Sequence, residues 1–348
     1  MNNKKIERIS HVLINILLSR FDSFPEDAIE NRNSPFQESF LKALVSKLEG
    51  DVSRIPYFIT LSSWMHGLNT TMWQKYFEKT AHILSDGEKK EYTAKKLGLL
   101  KITKLQSIKI GEIMSDLYND SFIPDVNREE QLIYSLDRGE EVETTGFSAD
   151  VFYETKDEVV AIEMKSVKPN SGEMKAEKKK ILEGKTALKR LYPNKKVKFY
   201  IGFPFDPTGN GVEYDKARFA SSVINLTKSF AYDEMLLSGE LWDMLSGTKG
   251  TMQVLLDIIN SIATLDFKDK YDYINDPLNR DTTKYKDILS SWHLYDELYV
   301  LDNIAKLTEL SSNNKSLQKL LYSPLFDSRG NYKLNRVSDL RELLKTGF

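Results

Sequence analysis

The 348-residue chain is 41% hydrophobic and 29% charged, with a mean hydropathy of -0.43; this suits a soluble protein with a real core and excludes disordered and collagen-like classes. It contains no cysteine, which removes disulfides, thiolate nucleophiles, iron-sulfur clusters and cysteine-ligated zinc and fits a reducing cytoplasm. The net charge of -2 is unevenly spread: Lys165 to Lys198 holds 12 Lys/Arg against 3 Asp/Glu, a local +9, so one basic segment is available to meet a polyanion or to form a solvated helix face.

Near the N-terminus the longest apolar stretch, Val12 to Leu18, is interrupted by Asn15 and flanked by Arg8 and Arg20. It is too short and too polar for a membrane span or a signal peptide. Ile6, Ile9, Leu13 and Ile16 instead predict the buried stripe of a helix. Ser34-Pro35-Phe36-Gln37 has the form of a capping box, opening a helix with Phe36, Phe40, Leu41, Leu44 and Leu48 that runs to Gly50. Trp64 to Thr71 reads as a loop, and a second helix is expected from Asn69-Thr70-Thr71 to about Gly87, carrying Met72, Tyr76, Phe77, Ile83 and Leu84. A further helix is expected over Asn127 to Leu136.

After Gly146 the period changes from helical to alternating. Residues 147–153 and 159–165 read as short strands, the second with Val160, Ile162 and Met164 on one face and Val159, Ala161, Glu163 and Lys165 on the other. A tight hairpin centred on Lys156-Asp157 puts Asp150 directly across from Glu163. A basic helix follows from about Glu173 to Tyr192, with Ile181, Leu182, Leu188 and Leu191 as its buried side. Val197 to Phe205 is an apolar run expected of a strand covered on both faces, parallel to the one before the helix.

The rest is predicted to be helical over Ala217 to Leu237, Met252 to Ile262 and Leu289 to Leu310, with Asp266 to Lys286 as a polar surface excursion. Phe230, Tyr232 and Trp242 are expected in the core. No Gly-x-x-x-x-Gly-Lys-Ser/Thr loop occurs, so nothing points to ATP. The expected organisation is α/β: a helical region over 1–120, a core of mixed sheet flanked by helices over 121–210, and a helical region over 211–348, packed as one unit.

Hydrolysing a phosphodiester requires a cation at the phosphate, a nucleophilic water and a group to orient it. Mg²⁺ takes oxygen ligands and keeps several waters, so two carboxylates suffice from the protein. Asp150 and Glu163 supply that pair, and Lys165, two residues on, projects beside it. Glu-x-Lys alone is common on wet strand faces; the aspartate in register and the helix and strand that follow are what raise it to a candidate site. His11, His66, His82 and His293 lack metal-ligand spacing and read as structural, His66 being the least bland.

Ser-Ala-Asp150, then Glu163-Met164-Lys165 running into Ser166-Val167-Lys168-Pro169-Asn170, resembles the catalytic hairpin of type II restriction endonucleases of the PD-(D/E)xK superfamily. The usual proline before the aspartate is Ala149 here. Ser63 to Thr71, Leu84-Ser85-Asp86-Gly87 and Lys168-Pro169-Asn170 are similar to the TdeIII-like group. The resemblance implies Mg²⁺-dependent cleavage of double-stranded DNA at a GGNCC-type site, leaving 5′-phosphate and 3′-hydroxyl ends. It implies Asp150, Glu163 and the Met164 carbonyl as metal ligands and Lys165 as the water-positioning group. Glu129 or Glu130 is a candidate additional acid from a preceding helix. Lys168, Lys175, Lys178, Lys179, Lys180 and Lys185 are candidates for phosphate contact.

A pseudo-palindromic site implies a homodimer, and a host enzyme of this kind a companion DNA methyltransferase, with no membrane and no ATP. Two other readings stay open: a repair or recombination nuclease on the same core, and a non-catalytic DNA-binding regulator on an inactive nuclease fold.

Overall fold

The computed structural model describes residues 1–25, 39, 41–45, 55–167, 171–209 and 211–346. The capping box at Ser34 to Gln37 and Lys168 lie outside the described residues. Two compact units emerge, Thr80–Leu255 and Asn2–Lys79 with Leu256–Phe348.

The chain opens with α1 (Asn3–Phe21), capped by the Asn2 side chain, which accepts from the Lys5 amide at 2.9 Å. Of the predicted stripe, Ile9, Leu13 and Ile16 are buried and Ile6 is half-buried. Next come α2 (Ile55–Thr71), a π-helical turn (Met72–Phe77) and α3 (Glu78–Ser85). Trp64 to Thr71 is therefore the last part of a helix, not a loop. No new helix begins at Asn69; the Thr70 and Thr71 hydroxyls bond carbonyls four residues back within α2.

The sheet-bearing unit contains β1 (Glu88–Tyr92), β2 (Lys101–Thr103), α4 (Lys104–Tyr118), α5 (Val126–Tyr134), β3 (Glu141–Glu143), β4 (Phe147–Glu154), β5 (Glu158–Met164), α6 (Ser171–Leu191) and β6 (Lys196–Phe203). It continues through α7 (Lys216–Ser222), α8 (Leu226–Ser229), a 3₁₀ turn (Tyr232–Glu234), β7 (Met235–Leu237) and α9 (Gly239–Ser246). Five strands make a mixed sheet in the order β1-β4-β5-β6-β7. β4 is antiparallel to β1 and β5, while β5, β6 and β7 run parallel. The α/β core of mixed sheet flanked by helices is thus present. Its edge strands come from regions read as helical: β1 is Glu-Lys-Lys-Glu-Tyr, whose charges suit an exposed edge and erase the apolar alternation that marks inner strands.

Helix α6 covers one face of the sheet. Gly184 allows close approach, since a Cβ there would lie 2.9 Å from the rings of Phe147 and Phe199. Leu241 of α9 packs on the other face at Gly202, where a Cβ would meet its Cδ1 at 3.4 Å. With helices on both sides, every residue of β5 from Val159 to Met164 is buried, so the face expected to be wet is covered. Leu191, expected on the inner side of α6, is 50% exposed at its C-terminal end.

The second unit takes α10 (Thr251–Ile262) from Leu256 onward, α11 (Phe267–Asn275), α12 (Thr283–Ser291), α13 (Tyr295–Asp302), α14 (Ile304–Ser311), α15 (Lys315–Leu321) and α16 (Leu334–Thr346). Asp266 to Lys286, expected to be a surface excursion, is largely helical, because Phe267, Tyr271 and Ile274 form a buried stripe and Thr282 caps α12 through the Tyr285 amide. The helix expected over Leu289 to Leu310 is broken at His293, which adopts φ 57°. Phe230 and Trp242 are core residues, whereas Tyr232 is 51% exposed on its 3₁₀ turn. No helix among the described residues is long and apolar enough to cross a membrane.

Lys178 corrects the reading of α6 as a phosphate-facing basic helix. Met174, Lys178, Ile181, Lys185 and Leu188 recur at steps of four and three, so both lysines lie on the buried stripe. Lys178 is 0% exposed, with Nζ 2.7 Å from Glu129 of α5 and 2.7 Å from Glu234. Lys185 is 8% exposed and paired with Glu130. Burial pushes the Glu129 carboxyl up to about 7, with Lys178 pulling down and Glu234 pushing up. Neither lysine is available to DNA. Replacing Lys178 by Met leaves two carboxylates facing each other without a cation, and is expected to lower unfolding stability by about 3–5 kcal/mol. Denaturant unfolding measures this, and a loss under ~1 kcal/mol would contradict the structural role.

Candidate active site

The β4–β5 hairpin has the register read from the sequence: Val151, Phe152, Tyr153 and Glu154 face Ile162, Ala161, Val160 and Val159. The ladder stops at Val151 because β4 is bulged. Against β1, Glu88 faces Phe152 while Lys90 faces Ala149, so β4 spends one extra residue in the Asp150-Val151 region. A bulge frees a side chain from the pleat and re-aims it. Asp150 accordingly leaves the ladder beside Glu163 and turns its carboxylate along the end of β5, where Oδ2 accepts from the Met164 amide at 3.0 Å.

Two further groups hold Asp150. Its Oδ1 accepts from Lys89 Nζ of β1 at 2.8 Å. Its backbone carbonyl lies 2.6 Å from Nε2 of His82 in α3; a carbonyl only accepts, so that nitrogen carries the hydrogen. Among the four histidines His82 is thus the one at the site, while His11 is stacked on Tyr332 at 3.8 Å and burial drives its pKa down to about 3.

Glu163 is 8% exposed, with Oε1 3.0 Å from Lys165 Nζ and Oε2 accepting from Ser148 Oγ at 3.4 Å. Burial pushes its carboxyl up to about 7 and the charge of Asp150 adds to the rise, which Lys165 only partly offsets. Lys165 lies just past β5, its amide bound to the Gly202 carbonyl at 2.8 Å. Burial works against its charge, but Glu163 and Glu177 outweigh that and hold the ammonium above the ordinary lysine range.

The third acid at the site comes from α6. Glu177 Oε1 is 3.1 Å from Lys165 Nζ and accepts from Lys180 Nζ at 3.0 Å, while its Oε2 is buried without a hydrogen-bond partner. Glu173, one turn earlier, is 3.7 Å from the same ammonium. The upstream acids considered from sequence, Glu129 and Glu130, are engaged by Lys178 and Lys185 instead.

The structure therefore brings together Asp150, Glu163 and Lys165, with Met164 supplying an amide to Asp150. Among the described residues, no three His, Asp or Glu side chains are grouped to hold a metal by themselves. Of the phosphate candidates, Lys179 is 53% exposed in its side chain and 3.7 Å from Glu183. Lys175 is exposed, with Nζ 3.8 Å from the Tyr118 ring centre. Sequence reasoning missed His82, Lys89 and Glu177. Only Glu177 left a signal, as an acid one helical turn after Glu173 on a helix otherwise dominated by lysine.

The chain is similar over its length to known restriction enzymes. The family model described as "Type II restriction endonuclease, HinfI" matches residues 1–263. The type II restriction enzyme MjaII of Methanocaldococcus jannaschii is 41% identical over 366 aligned positions, covering 99% of this chain and 98% of that protein.

The raised Glu163 carboxyl has a measurable consequence. Its ordinary value is 4.5 and its folded value about 7, so between these pH values the folded protein binds a proton that the unfolded chain releases. Stability from this group therefore falls as pH rises through that window. Glu163→Gln cannot titrate and should melt at a higher temperature than the wild type at pH 8, with the difference closing toward pH 5. Parallel melting curves across that range would contradict the burial argument.

Proposed function

From its membership of the HinfI family of type II restriction endonucleases, we infer that this chain hydrolyses double-stranded DNA at a short specific site, using Mg²⁺ held between Asp150 and Glu163. The observation that carries the reading is the convergence of those two carboxylates at the end of β5, next to an ammonium whose charge Glu163 and Glu177 uphold against burial.

The donor set suits a hard cation. Asp150 and Glu163 offer carboxylate oxygens, the Met164 carbonyl is the proposed further ligand, and no sulfur or imidazole ligand is involved. The charge of Asp150 opposes ionisation of Glu163, and each carboxylate is answered by an ammonium, Lys89 for Asp150 and Lys165 for Glu163. When bound, Mg²⁺ would supply positive charge at the scissile phosphate and lower the pKa of a coordinated water. The protein's own part is placement. The Met164 amide and His82 fix Asp150, and Ser148 bonds Glu163. Lys165 donates a hydrogen bond to the attacking water and stabilises charge on the phosphate, while Glu177 keeps its ammonium turned to that position.

The finer assignments are part of the same proposal. The core is read as PD-(D/E)xK, with a TdeIII-like grouping and a GGNCC-like site resting on the sequence resemblance. The three-part division at 120 and 210, a homodimer matching a two-fold DNA site, and a companion methyltransferase belong with it. Lys175 and Lys179 are proposed to meet phosphates, which position the duplex without reading its sequence.

Incubating unmodified plasmid with the protein and Mg²⁺ tests the proposal. Discrete fragments with 5′-phosphate ends are expected, and end mapping reads the site; nicking confined to damaged or branched DNA would favour a repair nuclease. Asp150→Ala should lower cleavage by at least ~10³-fold, while a DNA complex still forms. Glu177→Gln should lower kcat by about 10–10²-fold with KM for DNA unchanged. Full activity in Asp150→Ala would refute the assigned centre.

A further inference from the structure

Lys89 pairs with a proposed metal ligand from outside the hairpin that carries it. It lies on edge strand β1, at the step where the register against β4 shifts, opposite the bulge that carries Asp150. Its Nζ takes Asp150 Oδ1 at 2.8 Å. Oδ2 is already bound to the Met164 amide, so Oδ1 is the Asp150 oxygen best placed for a cation. A divalent ion and an ammonium compete for it, because both are drawn to the same oxygen and repel each other.

The two ammonium groups at the site differ in how far they are buried. Lys165 is 14% exposed in its side chain and meets Glu163, Glu177 and Glu173. Lys89 has a side chain 34% exposed on the sheet edge, already in contact with solvent. Its release leaves Asp150 anchored by Met164 and His82.

Resting on the metal reading of Asp150 and Glu163, we propose that Lys89 is a cation place-holder: it neutralises Asp150 in the metal-free protein and weakens the affinity of the free protein for divalent ions. The fraction of molecules with Lys89 displaced scales the apparent affinity directly. A partly exposed pair of this kind holds its partner only modestly, so removing the ammonium should tighten divalent binding by about 3–10-fold rather than by orders of magnitude.

Calorimetric titration of Mn²⁺ into DNA-free protein at fixed ionic strength tests this, with circular dichroism confirming folding of each variant. Lys89→Met should bind about 3–10-fold more tightly than wild type. Lys89→Arg, which keeps the charge, should stay near wild type, and Lys89→Gln provides a second neutral variant should Lys89→Met fail to fold. Asp150→Asn should lose the site. Equal or weaker binding in the neutral variants would overturn the place-holder role while leaving the metal centre intact. Absence of binding in wild type and neutral variants alike would overturn the metal centre itself, and the place-holder with it.

Discussion

Two carboxylates withdrawn from water beside each other are unstable company, and the geometry around Asp150 and Glu163 is organised by that fact. Burial and mutual repulsion together push Glu163 far above its ordinary range. Lysines from β1 and from the end of β5 answer the charge in the metal-free protein. A core that only had to be stable would place apolar groups there, as the neighbouring Ala161 and Ile162 do. Retaining a buried acid beside a half-buried one costs stability, an exchange expected at a functional site.

Helix α6 ties that site to its scaffold through neighbouring positions with separate duties. Glu177 reaches Lys165, and Lys178 points away from the site into a buried cluster with Glu129 and Glu234. Glu183 accepts from the Thr145 amide at the entry to β4 at 2.6 Å, and Gly184 lets the helix settle onto Phe147 and Phe199. The helix thereby fixes both the strand that delivers Asp150 and the ammonium beside Glu163. Such placement on rigid elements is what holds reacting groups within a fraction of an ångström.

The hairpin and its register were legible in the sequence because strand alternation and a short turn leave few alternatives. The bulge was not, since a single extra residue changes neither pattern, yet it is what frees Asp150 from the ladder. Lys178 and Lys185 were misread for a different reason: they share the four-and-three spacing of Met174, Ile181 and Leu188, but a run of lysines suggests a wet face unless the periodicity is given priority over the charge. Their acidic partners lie on α5 and the 3₁₀ turn, far away along the chain, and no local rule pairs them. His82 and Lys89 approach Asp150 from sequence separations of 68 and 61 residues, which only the tertiary fold discloses. The edge strands β1 and β7 escaped notice because one is charged and the other only three residues long.

The central claim is that a divalent ion sits between Asp150 and Glu163 with the Lys165 ammonium alongside. Anomalous diffraction from Mn²⁺ in crystals of the protein with uncleaved DNA addresses it most directly. The account requires an anomalous peak within coordination distance of both carboxylates, a phosphate oxygen on the same ion, and Lys165 Nζ facing the gap between them. A peak coordinated by other residues, with Asp150 still bound to Lys89 in a complex poised to cleave, would contradict it.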